Sequence, residues 1–155
     1  LDRKTLMLIA ALGSALLLGG AFVFQFLGYP PCAMCLWQRW PHAAAIVIGL
    51  MAFALPTQTH RALALLGALA AAITGGLGVY HTGVERGWWQ GPTSCTSSGG
   101  LNGLTGGDLL STVGPKLVLC DQVNWQLFGL SMASWNALAS FVLVAIWIWA
   151  ARRQA

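Results

Sequence analysis

Four apolar runs, each near the ~20 residues that a helix needs to cross the hydrocarbon core of a bilayer, dominate this chain. They cover residues 6–27, 36–55, 62–80 and 131–150. Only 8% of the 155 residues are charged, against roughly a quarter in a soluble domain. The runs therefore predict an all-α membrane protein, a four-helix transmembrane bundle forming one domain over residues 1–155. The net charge of +4 does not point to nucleic acid, because the basic residues are scattered along the flanks of the apolar runs. Small residues in the first run lie inside it and not after it, so it reads as a retained helix and not as a signal peptide.

Charge placement predicts an orientation. Arg3 and Lys4 precede the first run, Arg61 sits beside His60 between the second and third, and Arg152 and Arg153 follow the fourth. Arg39, Arg86 and Lys116 lie on the other side. By the positive-inside rule both termini and the 57–61 turn are cytoplasmic. Cys32, Cys35, Cys95 and Cys120 then all fall on the extracytoplasmic side, which in bacteria is oxidising. Trp37, Trp40, Trp88, Trp89, Trp125 and Trp135 on that side, and Trp147 and Trp149 on the other, read as aromatic belts.

The breaks between runs place the cysteines. Tyr29-Pro30-Pro31 stops the first helix, and Pro31 suits the first turn of the second. Cys32 then lies near a helix N-terminus, where the partial positive charge favours a thiolate. Pro41 is expected to kink that helix, and the short 56–60 turn makes the second and third helices antiparallel neighbours. Residues 81–130 form the one sizeable polar stretch, a Gly- and Ser-rich loop carrying Cys95 and Cys120. Within it, residues 108–113 suit a short helix on the membrane surface, with Leu109, Leu110 and Val113 as its anchor.

A CxxC at a membrane surface with a second cysteine pair in a loop suggests electron transfer by thiol–disulfide exchange. A zinc site would want a second close cysteine pair or nearby histidines, which the spacing does not supply. Inert disulfides would explain cysteines outside the cell but not a CxxC at a helix start beside an arginine. Arg39 lies four residues after Cys35, on the same helix face. A cation at that depth is costly and marks a functional site by default. It suits stabilisation of a Cys35 thiolate and donation to a carbonyl acceptor. His42 has an alternative reading as a packing residue, His60 reads as cytoplasmic and uninvolved, and Glu85 with Arg86 reads as a weak surface pair.

Residues 31–42, PCAMCLWQRWPH, closely resemble the PCxxCxxQRxPH signature of the DsbB family, the bacterial disulfide-forming quinone reductases. The segment from Cys120 through Trp125, Gly129 and Ser131 resembles that family's second-loop cysteine followed by W-x-x-x-G-x-S. The resemblance spans the whole chain. It implies a bacterial inner-membrane, monomeric enzyme that makes disulfides without metal or flavin. Ubiquinone or menaquinone would be the electron acceptor, and a periplasmic thioredoxin-like, DsbA-like oxidase the protein partner. It further implies that Cys95–Cys120 is the disulfide offered to that partner, with Cys95 attacked first. Cys120 would then exchange with Cys32, leaving Cys35 as the thiolate beside the quinone, with Arg39 and His81 holding the quinone. The Cys95–Cys120 loop departs from the family in its glycine content, which bears on partner recognition.

Two other readings compete. A vitamin K epoxide reductase-like protein also joins a CxxC to quinone chemistry, but there the CxxC follows the loop pair, whereas here it comes first. A disulfide-stapled membrane scaffold without turnover leaves Arg39 unexplained.

Overall fold

The structure is a computed structural model, described for residues 1–96 and 118–153. Four helices carry the fold: α1 (Arg3–Phe26), α2 (Ala33–Ala54), α3 (His60–Glu85) and α4 (Met132–Arg152). A 3₁₀ turn, Thr57–Thr59, joins α2 to α3. α3 packs most extensively, against α4 and α2, and α1 closes the ring by touching α2 and α4. α1, α3 with its preceding turn, and α4 are each long and apolar enough to cross a membrane. α2 is 22 residues long, and its first half carries Gln38, Arg39, Pro41 and His42, which lower its hydropathy. It continues through Pro41, which removes one N–H from its ladder.

Glycines at positive φ stop two of the helices. Gly28 (φ 100°) follows α1, with Gly28 N–H donating to Gln25 O (3.2 Å) and Tyr29 N–H to Phe24 O (3.0 Å). Gly87 (φ 69°) follows α3, with Gly87 N–H donating to Val84 O (3.2 Å) and Trp88 N–H to Gly83 O (2.8 Å). Both are Schellman closures, which need a left-handed residue just past the helix. The second one corrects the sequence expectation for the third helix. It does not stop at Tyr80 but runs on to Glu85, because nothing before Gly87 breaks it. His81 and Glu85 thus belong to the bundle and not to the loop.

The polar stretch also holds a small hairpin. β1 (Gln126–Leu127) pairs antiparallel with β2 (Leu130–Ser131), Leu127 facing Leu130. Phe128 and Gly129, both at positive φ (52° and 74°), make the tight turn. Ser131 then caps α4, accepting from Ser134 N–H at 3.2 Å. The Gly129-x-Ser131 spacing is therefore a turn followed by a helix cap. Residues 108–113, expected to form a surface helix, and Lys116 lie outside the described residues.

At the end bearing the termini, Leu6, Met7, Ala10, Ala45, Ala64, Ala71 and Trp147 form the buried core. Trp147 was expected in an interfacial belt, but it is fully buried. Gly67 on α3 makes room for it: a β-carbon there would lie 2.5 Å from the indole ring. Close approach over small residues is the usual way helices pack in lipid, where burial from water contributes nothing between them. Trp149, 46% exposed, fits a belt position.

Candidate redox site

All four cysteines lie at the opposite end, where the first helix ends, α2 begins, α3 ends and α4 begins. Cys32, Cys95 and Cys120 pack with Met34 and Val84 in one buried cluster, with Cys35 and Tyr80 against it. Cys95 and Cys120 are joined by a disulfide, Cα–Cα 5.3 Å, and Cys32 and Cys35 are free thiols. Cys95, placed by the sequence in a Gly- and Ser-rich loop, is only 5% exposed. Segment 86–96 folds back on α3: Trp89 donates from Nε1 to Tyr80 O (2.8 Å) and stacks on the Tyr80 ring. That backfolding is what brings the second pair onto the first.

Cys32 is the N-cap of α2, and its sulfur accepts from the Cys35 N–H at 3.4 Å. The two free sulfurs are 3.2 Å apart. Hydrogen bonding from Cys35, opposed by burial and reinforced by His81, holds the Cys32 thiol down at about 4. The helix terminus acts in the same sense. This favours Cys32 as the thiolate of the reduced pair, in line with its expected place at a helix N-terminus, over the Cys35 thiolate that the position of Arg39 suggested. The reason is local: Cys32 takes the cap position and both hydrogen bonds, and Arg39 is engaged elsewhere.

Arg39 reaches α1. Its Nη1 donates to Gln25 Oε1 (2.8 Å), Nη2 to Ala21 O (3.4 Å), and the guanidinium lies 4.6 Å from the Phe22 ring centre. Its Nε is buried without a hydrogen-bond partner. His81 sits directly against the CxxC, Nε2 being 3.5 Å from Cys32 Sγ. The same Nε2 is 3.7 Å from Glu85 Oε1, one turn further along α3. Glu85 was expected to pair with Arg86 at the surface. Instead its side chain is 7% exposed and faces His81, while Arg86 turns outward and donates to Gly129 O (3.2 Å). The extension of α3 past Tyr80 is the cause, since it puts Glu85 four residues on from His81, on the same face.

A polar chain behind these residues escaped the sequence reading. Gln38 Nε2 is 3.1 Å from Met34 O and 3.0 Å from His81 Nδ1. Asn136 on α4 donates from Nδ2 to Gln38 Oε1 (2.8 Å), and its Oδ1 is 2.8 Å from His42 Nε2. Thr74 Oγ1 donates to Gln38 O (3.1 Å). His42 is thus more than a packing residue. Its Nδ1 is buried with no partner. His60, by contrast, lies at the far end, with Nε2 3.1 Å from Leu55 O.

A cavity of about 340 Å³ opens beside the CxxC. Cys35, Arg39, His42, His81, Phe24 and Trp125 are among its walls, and its lining is mainly apolar. The sequence candidates Cys32, Cys35, Arg39 and His81 therefore line the same cavity, and the Cys95–Cys120 disulfide packs against Cys32.

A family model for disulfide bond formation protein DsbB matches residues 3–150. Disulfide bond formation protein B of Azoarcus sp. (strain BH72) is 30% identical, over 98% of this chain and 95% of its own length. Disulfide bond formation protein B 2 of Pseudomonas aeruginosa PAO1 is 31% identical, over 92% of this chain and 86% of its own. A relative of that name in Verminephrobacter eiseniae is 29% identical, over 93% and 85%. No solved structure matches the chain. With membrane-crossing helices, paired cysteines and a family match over nearly its whole length, this chain belongs to the DsbB family and is a membrane protein of disulfide bond formation.

Proposed function

We propose that this protein is a dithiol:quinone oxidoreductase that reoxidises a periplasmic thioredoxin-like, DsbA-like partner. One observation carries the reading. The cavity beside Cys35 is mainly apolar, and two of the residues that line it carry buried polar atoms without partners, a donor at Arg39 Nε and an acceptor at His42 Nδ1. Buried polar groups are rarely left without partners. A flat, apolar molecule with carbonyl oxygens that become hydroxyls on reduction suits both atoms. A membrane quinone has that chemistry and accepts two electrons and two protons as it becomes the quinol.

The sulfur steps balance with no other reagent than water. The partner's dithiol reduces the Cys95–Cys120 disulfide and leaves oxidised. Cys95 and Cys120, now thiols, reduce a Cys32–Cys35 disulfide and close again. Cys32 and Cys35, now reduced, close to a disulfide in their turn, passing two electrons to the acceptor in the cavity, with one proton from the Cys35 thiol and the second from water, since Cys32 reacts as the thiolate. We take residues 1–155 as one domain, the cysteine end periplasmic, the termini cytoplasmic, the membrane the bacterial inner one, and the protein a monomer that needs no metal. Since Cys95 is buried, a local rearrangement has to expose it before the partner reaches it.

The test is reduction of a soluble ubiquinone or menaquinone analogue by the detergent-purified protein, with a reduced thioredoxin-like dithiol protein as donor. One quinol should form for each partner disulfide. Partner oxidation without reduction of either quinone would overturn the reading.

A further inference from the structure

Gln38 stands at the centre of the site without touching a sulfur. A carbonyl oxygen only accepts hydrogen bonds, so the Gln38 atom 3.1 Å from Met34 O is the amide nitrogen. That fixes the side chain against a flip. Gln38 Oε1 is then the acceptor for Asn136 Nδ2, Asn136 Oδ1 faces His42, and His42 donates from Nε2. Each bond in this chain has one donor and one acceptor. The Gln38 amide nitrogen also faces His81 Nδ1 at 3.0 Å, so Nδ1 must offer its lone pair. A neutral imidazole arranged this way carries its proton on Nε2. Cys32 Sγ at 3.5 Å and Glu85 Oε1 at 3.7 Å from Nε2 both suit an N–H, and the Cys120 carbonyl also faces the ring as an acceptor.

This bears on a second possibility for the same residues. The ligand atoms of Cys32, Cys35 and His81 lie within 4.8 Å of one another, close enough for one metal ion. A histidine ligates through a lone pair, and its other ring nitrogen then carries the proton and donates it outward. Here the arrangement is reversed. For Nε2 to bind a metal, Nδ1 would have to hold a proton against the Gln38 N–H₂ group. We propose that Gln38 is a positioning residue that fixes His81 as the Nε2–H tautomer, so that the ring donates to Cys32 Sγ and withholds the lone pair that would make Cys32, Cys35 and His81 a zinc site. A reduced CxxC with a histidine beside it would otherwise be a trap for thiophilic cations, and turnover needs both thiols free.

The inference rests on the hydrogen-bond geometry and not on the identity of the electron acceptor. ¹⁵N NMR of His81 in the full-length reduced protein tests it at neutral pH. Nδ1 should give a pyridine-type shift and Nε2 a pyrrole-type shift. The opposite pattern, or two pyrrole-type nitrogens, would overturn the proposal with no variant needed. Gln38→Glu, nearly isosteric, replaces the donor with an acceptor. It should exchange the two shifts and raise affinity for Co²⁺, used as a zinc probe, by about tenfold or more, the scale of outer-partner effects on metal sites. Sulfur-to-cobalt charge-transfer bands would report the thiolate ligands. Wild-type protein binding Co²⁺ through His81 as tightly as the variant would overturn the withholding role.

Discussion

At the end of the bundle that carries the termini, Leu6, Met7, Trp147 and a set of alanines are buried, and the buried histidine there, His60, is within reach of a nearby carbonyl. At the cysteine end the buried side chains are Gln38, His42, Thr74 and His81, linked to Asn136 across three helices. The first end is held by shape: small residues on α3 admit a tryptophan from α4. The second is held by directional bonds, each fixing the role of the next atom. Packing of the first kind tolerates small adjustments without changing chemistry. A directional network does not, since reversing one donor reverses its neighbours. The contrast teaches that stability and reactivity are separable here by substitution.

The largest separation is expected from the cysteines against Trp147. On the proposed mechanism, Cys35→Ala should reduce quinone reduction to the uncatalysed level while leaving thermal unfolding in detergent almost unchanged. Trp147→Ala should do the reverse. It empties a fully buried site and should cost about 3–5 kcal/mol by the usual scale for large-to-small changes. Turnover per folded molecule should stay near wild type. A Trp147 variant that is stable but inactive would show that the two ends are coupled.

Arg39 offers the next largest effect, and it tests the cavity. Truncation to alanine removes its unpartnered Nε and the tether to Gln25 and Ala21. Loss of a hydrogen bond from a charged donor costs about 1.5–3 kcal/mol, or roughly tenfold to a hundredfold. Steady-state kinetics should show that loss in the KM for quinone, with little change for the protein partner. A rise confined to the partner's KM would move Arg39 out of the quinone site.

How much of this was legible beforehand divides along the same line. The four helices were, because a chain in lipid has few ways to satisfy its backbone and long apolar runs with Pro30, Pro31 and short turns between them leave little else. The CxxC and Arg39 were, because a CxxC and an arginine one turn on are local patterns, whereas the Cys95–Cys120 bond, 25 residues apart, came only with the family resemblance. The length of α3 was not, since polar His81 and Thr82 resembled the start of a loop, although Gly87 carried the true stop signal. With α3 misjudged, Glu85 could not be seen to face His81. Trp147 was misplaced because composition near a membrane edge does not say whether a tryptophan points outward or into a glycine slot. The Gln38–Asn136 bond joins residues 98 apart, and no local pattern announces it.

A smaller effect concerns charge at the cysteine end. With Cys32 held at about 4, its thiolate should persist as pH falls from neutral and disappear only on passing through about 4. Thiolate ultraviolet absorbance of the reduced protein, compared with Cys32→Ser, measures this. An ordinary thiol would lose its thiolate far higher, near pH 8–9. A Cys32 signal that vanishes there would place the charge of the pair elsewhere.

The smallest expected effect lies where the two kinds of structure meet. Ser131 ends the hairpin and caps α4, its Oγ accepting from Ser134 N–H (3.2 Å) and lying 3.1 Å from Ser134 Oγ. Ser131→Ala leaves the helix sequence intact but frees one N–H at its first turn. Cap removal typically costs about 1 kcal/mol, well below the Trp147 figure. Ser134 Oγ is also 3.0 Å from Thr82 Oγ1 on α3, so the hydroxyl keeps a partner after the change. The expected result is a small drop in unfolding temperature and turnover within about twofold of wild type, since ~1 kcal/mol of local fraying leaves most molecules with α4 fully formed. Equal losses in stability and in turnover would mean that Ser131 reaches the redox site, either through Asn136 on α4 or through its own hydrogen bond to Glu85. A stability loss alone would keep the cap with the packing end of the comparison.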